Sequence, residues 1–231
     1  MSLNNIEHSG EIESHVQSHL IPVEAGLTHA YENSAEQGLP LIAVSPVLGQ
    51  FTSLLTTATG TRNVLEIGTL GGYSTIWFAK AVKGKGKVTS IEIDEHRRDV
   101  AIVNLRFAGV NVPEEVDVIL GAGLDILPKL GMEIQEGKRE RFDFIFIDAD
   151  RGNQLNYFDW GVKLSSGKGS VVYVDNAVKG MLESGIIGSQ KRDGEAIDLV
   201  AEVGKDERVE SVVIQTVGAK GYDGFLLAVV K

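Results

Sequence analysis

Apolar residues fall in short runs of four to six, and between the runs apolar positions return every three or four residues. The first run, Val64 to Ile67, reads as a buried strand. Gly68, Gly71 and Gly72 break it, and residues 73–82 resume at helical spacing. Glycines in such a turn let backbone approach a ligand, and the helix that follows offers free N–H groups. An ordinary strand-to-helix turn would look the same. Glu66 tips the balance, because a carboxylate inside an apolar strand needs a partner.

The pattern then repeats. Strands are expected at 88–93, 116–120, 142–147 and 169–174, with helices at 95–108 and from about Asp125. A further helix is expected at 196–203. Residues 211–217 and 225–230 read as two closing strands joined by a glycine-rich turn. Alternating strands and helices imply right-handed crossovers and a doubly wound, mostly parallel α/β sheet. Upstream, Ser45-Pro46 is a helix start, with Ser as cap and Pro in the first turn. Residues 1–40 carry apolar positions at helical spacing interrupted by Pro22, a helical extension outside the core. With no repeat or low-complexity tract, residues 1–231 are expected to form one domain. Residues 177–193, rich in glycine and charge, read as an insertion over the site or as a plain surface loop.

Net charge changes the picture. At −10, with a pI near 5.0, the chain repels nucleic acid and anionic membrane. Cysteine is absent, which excludes disulfides, thiol nucleophiles and Cys-ligated zinc. No apolar run approaches the ~20 residues of a membrane span. The acidic N-terminus lacks a secretory or transit pattern, so a soluble, intracellular, cytoplasmic protein is expected. His15 and His19 stand four apart, but no third ligand stands at motif spacing, and a solvated helix face is expected.

Candidate chemistry collects where strands end: Glu66, Glu92, Asp148 with Asp150, and Asp175 with Asn176. In a parallel sheet these ends share one rim, where ligands bind. Glu92 lies about 20 residues past the glycine turn, the usual offset of an acidic residue that binds ribose hydroxyls. Asp148, Asp175 and Asn176 are hard oxygen donors suited to Mg²⁺ or Ca²⁺. Capping of the following helices is the competing explanation for all of them. A nicotinamide dehydrogenase would account for the turn and Glu92, but not for Glu66 or the acidic cluster.

In combination, Leu-Glu-Ile-Gly-Thr with Gly-Tyr-Ser, Ile-Glu-Ile-Asp, Phe-Ile-Asp-Ala-Asp, Asp-Asn and Tyr-Asp-Gly-Phe carry a resemblance. From about Leu39 to Lys231 the chain resembles the class I, cation-dependent O-methyltransferases that use S-adenosylmethionine (SAM), the group of catechol and caffeoyl-CoA O-methyltransferases. The resemblance implies a Rossmann-like, seven-stranded sheet with an antiparallel last strand and extra N-terminal helices. It implies that Glu66 holds the methionyl amino end, with Val44, Gly68, Thr69 and Ser74 in the same pocket. Glu92 would bind the ribose, Gly123 the adenine region, and Asp150 would also touch the cofactor. Asp148, which would also adjoin the cofactor, Asp175 and Asn176 would bind Mg²⁺ or another divalent cation. The cation would chelate two vicinal hydroxyls of a small phenolic of catechol, hydroxycinnamoyl or flavonoid type, and the resemblance suggests a homodimer.

One position departs from the catechol pattern, which has a lysine three residues after the first metal aspartate. Here stands Arg151, whose guanidinium does not deprotonate at useful pH. Two roles are open to it: electrostatic support of the acceptor oxygen, or pairing with an acidic neighbour. Two other activities remain compatible: a silent SAM-binding module and a dinucleotide-dependent oxidoreductase.

Overall fold

The computed structural model describes residues 3–188, 194 and 196–231. After a 3-10 turn at Leu3–His8 come α1 (Ser9–Leu20), α2 (Ala25–Glu36) and α3 (Pro46–Ala58). Then β1 (Asn63–Ile67), α4 (Tyr73–Val82), β2 (Lys87–Glu92), α5 (Glu95–Phe107), β3 (Val116–Leu120), α6 (Gly123–Gln135) and β4 (Phe144–Ile147) alternate. The chain continues through α7 (Gln154–Leu164), β5 (Val171–Val174), α8 (Ala177–Glu183) and α9 (Leu199–Val203) to a hairpin of β6 (Val209–Gly218) and β7 (Gly221–Val230).

All seven strands lie in one sheet, ordered β3-β2-β1-β4-β5-β7-β6. Strands β3, β2, β1, β4 and β5 pair in parallel, and β7 runs antiparallel to both β5 and β6. Winding reverses between β1 and β4, so the ligand crevice of such a sheet is expected at the carboxyl ends of those two strands.

Local chemistry sets the boundaries. The Ser45 hydroxyl accepts from the Leu48 N–H at 3.3 Å, which starts α3 where expected. Asp198 caps α9 by accepting from the Ala201 N–H at 3.0 Å, so that helix begins at Leu199 rather than 196. Phe142 makes only an isolated bridge to Ser165, so β4 starts at Phe144. The closing strands are longer than expected, ten residues each, around a two-residue Ala219-Lys220 turn. Of the expected insertion, residues 177–183 are α8, and 189–193 lie outside the described residues.

Strands β1, β4 and β5 are apolar at nearly every position because both faces are covered. Leu65, Ile67, Ile145, Ile147, Val172 and Val174 pack under α6, α7 and α9. On the other face Val64, Phe144, Phe146 and Tyr173 meet the helices of the N-terminal half. Phe78, Phe146, Tyr173 and Phe225 stack there in series, with centroids 4.5 to 5.2 Å apart. Each such ring contributes about 1.5–3 kcal/mol on burial. The N-terminal helices are joined to this body, α2 lying on α5 and α4, α1 on β6 and α3. No helix among the described residues is long and apolar enough to cross a membrane.

Candidate active site

The glycine turn brings two strand ends into contact. Gly68 has φ +100°, and a Cβ there would stand 2.0 Å from the Asp148 carbonyl oxygen. Only glycine allows both the conformation and the approach. Leu70 (φ +50°) and Gly72 (φ +79°) complete the turn in left-handed backbone. Glu92 supports it: one carboxylate oxygen accepts from the N–H groups of Thr69 (3.2 Å) and Leu70 (2.8 Å), the other from Asp94 (3.1 Å). From outside, the buried Asn104 donates to the Gly71 carbonyl at 2.9 Å and binds α2 to the same turn.

Glu66 is fully buried, and its carboxylate accepts from Ser74, Thr75 and Ser90. Burial pushes its pKa up to about 7, and those three hydroxyls only partly offset the effect. A cleft of about 660 Å³ opens above the turn. Val44, Gly68, Thr69, Ser74, Glu92, Gly123, Asp148 and Asp150 all line it. Glu66 does not: it sits beneath the wall, behind Ser74, because its side chain points into the covered face of β1. Ser74, which donates to Glu66, stands on the wall in its place.

Asp150 is held on the wall by the Tyr157 hydroxyl and the Asn153 amide, each at 2.6 Å. Tyr157 also packs against Gly123, where a Cβ would stand 2.7 Å from the ring. Burial, then Asp150, raises the Tyr157 pKa, so the hydroxyl stays a donor. Trp160 packs on the core beneath Lys163, and Tyr222 is half exposed. His15 and His19 sit on a helix without buried residues, His19 engaged with the His15 carbonyl at 2.8 Å.

Asp148 and Asp175 follow the adjacent, in-register strands β4 and β5. Asn176 follows directly, in left-handed conformation (φ +56°), and lines the cleft with Asp148. Among the described residues neither aspartate makes an ion pair. Burial raises both pKa values; Asp223 raises both further, and Asp148 acts on Asp175 in the same direction. Lys220, at the hairpin turn, opposes this with its charge while donating to the Ala43 carbonyl. Among the described residues no three His, Asp or Glu side chains gather as a chelating group. Two carboxylates and one amide, Asp175 buried and Asp148 and Asn176 half-buried, nonetheless fit a hard divalent cation. Arg151 lines the cleft, yet its guanidinium is bound by Glu183 of α8, the second of its two expected roles.

The sequence pattern of the O-methyltransferase family matches residues 17–229. The chain belongs to this family. It is 40% identical over 220 residues to an O-methyltransferase of Aspergillus flavus, covering 94% of this chain and 87% of that one. A catechol O-methyltransferase of Mycobacterium tuberculosis is 37% identical over 234 residues, end to end in both chains. The structure of an O-methyltransferase from Bacillus cereus in complex with SAH superposes with a TM-score of 0.87 at 39% identity, covering 98% of this chain and all of that one. Membership in the O-methyltransferases removes the oxidoreductase alternative. Sequence reasoning missed Asn104, Lys220 and Asp223, all of which act on the site from distant segments. Only Asp223 carried a signal, as part of Tyr-Asp-Gly-Phe, and the sequence assigned it no role.

Proposed function

We propose that this O-methyltransferase transfers the methyl group of SAM to one of two vicinal hydroxyls of a small phenolic, with a divalent cation held by Asp148, Asp175 and Asn176. The observation that carries the reading is the pair of adjacent carboxylates, Asp175 buried and Asp148 half-buried, that make no salt bridge among the described residues and stand next to an amide on the wall of the cleft. Its support from relatives is the catechol O-methyltransferase with 37% identity over its full length. Binding of SAH by the Bacillus cereus protein supports SAM as donor, since SAH is SAM without its methyl group.

Each group then has a task. The turn from Gly68 to Gly72 lets the donor approach the backbone, and Ser74, backed by Glu66, offers polar contact to its charged end. Glu92 keeps unused lone pairs for the ribose while fixing the turn. Asp150, oriented by Tyr157 and Asn153 on the wall of the cleft, would touch the cofactor. When bound, the cation supplies Lewis acidity that lowers the acceptor hydroxyl's pKa from about 10 towards neutrality. Through the cation they hold, Asp148, Asp175 and Asn176 would fix the acceptor relative to the methyl donor, and such positioning lowers the barrier by several kcal/mol. Arg151, neutralised by Glu183, adds a weak field at the mouth rather than a proton acceptor.

The test is methyl transfer from SAM to a panel of catechols, hydroxycinnamoyl esters and flavonoids, with Mg²⁺ and with EDTA. Transfer that EDTA abolishes and Mg²⁺ restores is the expected result. SAM binding without transfer under any condition would favour the silent module.

A further inference from the structure

Asn176 can serve a cation only through its side-chain oxygen, and an amide may present either end. Here both hydrogens of its nitrogen are used: it donates to Asp175 at 3.1 Å and to Asp223 at 3.0 Å. Turning the amide over would set its oxygen against two carboxylate oxygens, so one orientation prevails. That orientation leaves the oxygen free, and among the described residues it receives no hydrogen bond. Asp223 is the decisive partner, because Asp175 is a neighbour in sequence whereas Asp223 comes from β7.

The other Asp223 oxygen accepts from the N–H of Lys179 in α8 and from that of Gly224, both at 2.8 Å. Asp223 thus ties the turn end of the hairpin to the first turn of the helix that Asn176 begins. Gly224 makes the approach possible: a Cβ there would stand 2.2 Å from the Ile214 carbonyl and 2.6 Å from Val178 of α8. Asn176 is held in left-handed backbone, a conformation that costs a residue with a side chain. A tether on both the amide and the helix holds that geometry in place.

We propose that Asp223 is a positioning residue of the cation site, orienting the Asn176 amide so that its oxygen faces the ion. The inference rests on the cation reading above. It concerns the protein's own side chains, and direct binding of Mn²⁺ tests it without turnover. Groups that orient metal ligands typically change affinity by about 10–100-fold when removed.

Mn²⁺ affinity is measured by electron paramagnetic resonance on wild type, Asp223→Asn, Asn176→Ala and the double variant, with SAM affinity and melting temperature in EDTA taken in parallel. Asp223→Asn is expected to weaken Mn²⁺ binding at least tenfold while SAM affinity stays within twofold. In the Asn176→Ala background the same substitution is expected to change Mn²⁺ affinity by less than threefold, the mark of two residues acting as one unit. If Asp223→Asn does not fold, Asp223→Ser, which retains an acceptor for the Lys179 N–H, carries the comparison. Mn²⁺ affinity within threefold of wild type in the single variant would overturn the proposal alone. So would an undiminished loss in the double variant. Wild-type protein that binds no Mn²⁺ would overturn the cation reading, and this inference with it.

Discussion

Glu66→Gln is expected to stabilise the protein, and only above a certain pH. In the fold the carboxyl has a pKa of about 7 against an ordinary 4.5, because complete burial outweighs the hydroxyls of Ser74, Thr75 and Ser90. A carboxyl raised in this way holds a proton in the fold that the unfolded chain has released. Stability is therefore intact below about pH 4.5 and is lost as pH rises through about 7. At about 1.4 kcal/mol per pH unit, the loss reaches about 3 kcal/mol at pH 8 and stays under about 1 kcal/mol at pH 5. Glutamine keeps the shape and one acceptor oxygen, and the three hydroxyls can rotate to pair with its amide. Giving up a charged acceptor costs about 1 kcal/mol in return. The expected net is a gain of about 2 kcal/mol at pH 8 and none at pH 5. Urea unfolding followed by circular dichroism, with EDTA present at both pH values, reads the difference. A gap between variant and wild type that is the same at pH 5 and pH 8 would refute the reasoning, since it would mean that Glu66 does not change protonation on folding.

The same logic extends outward. Mn²⁺ binding should strengthen as pH rises from 5 to 8, because the raised pKa values of Asp148 and Asp175 set a proton in competition with the ion; titration calorimetry at several pH values checks it. Gly68→Ala should cost about 3 kcal/mol or more, since its Cβ meets the Asp148 carbonyl at positive φ, and should lower the melting temperature by about 10 °C in a thermal scan. Arg151→Ala should lower kcat/KM for a catechol less than about tenfold and stability by at most about 1 kcal/mol, because Glu183 already neutralises the guanidinium in a partly exposed pair. Steady-state kinetics with a urea melt measures both.

How much of this could be read from the chain depended on the range of the interaction. The strands from β1 to β5 were legible because each is a run of buried apolar residues whose period needs no partner to be recognised. Their boundaries slipped where a side chain far away decided them. Asp143, for one, accepts from the N–H groups of Arg62 and Asn63 at 2.9 Å and so interrupts the run between Phe142 and Phe144. The two closing strands were legible, but their added residues, 209–210, 218 and 221–224, escaped because they are mostly polar or glycine and no apolar run marks them.

The site divides along the same line. Thr69, Glu92, Asp148 and Asn176 stand on the cleft because strand ends in a wound sheet must converge there, a consequence of topology that the order of runs already implies, whereas Val44 reaches it from the segment before α3. What Glu66 touches is a matter of pleat. Position 66 shares its face with Val64, so its side chain enters the covered layer and reaches the cleft only through Ser74. The partners of Asn176 and of Arg151 depend on register. Asp223 reaches Asn176 only because β7 pairs with β5 so that Leu226 stands opposite Val174, which sets Asp223 beyond the end of β5 at the start of α8. Shifting that pairing by one residue would turn Asp223 to the opposite face of the sheet and leave the amide of Asn176 free to turn. The residue types of the proposed cation site are thus written locally, whereas the orientation of the Asn176 amide is set by how the hairpin docks.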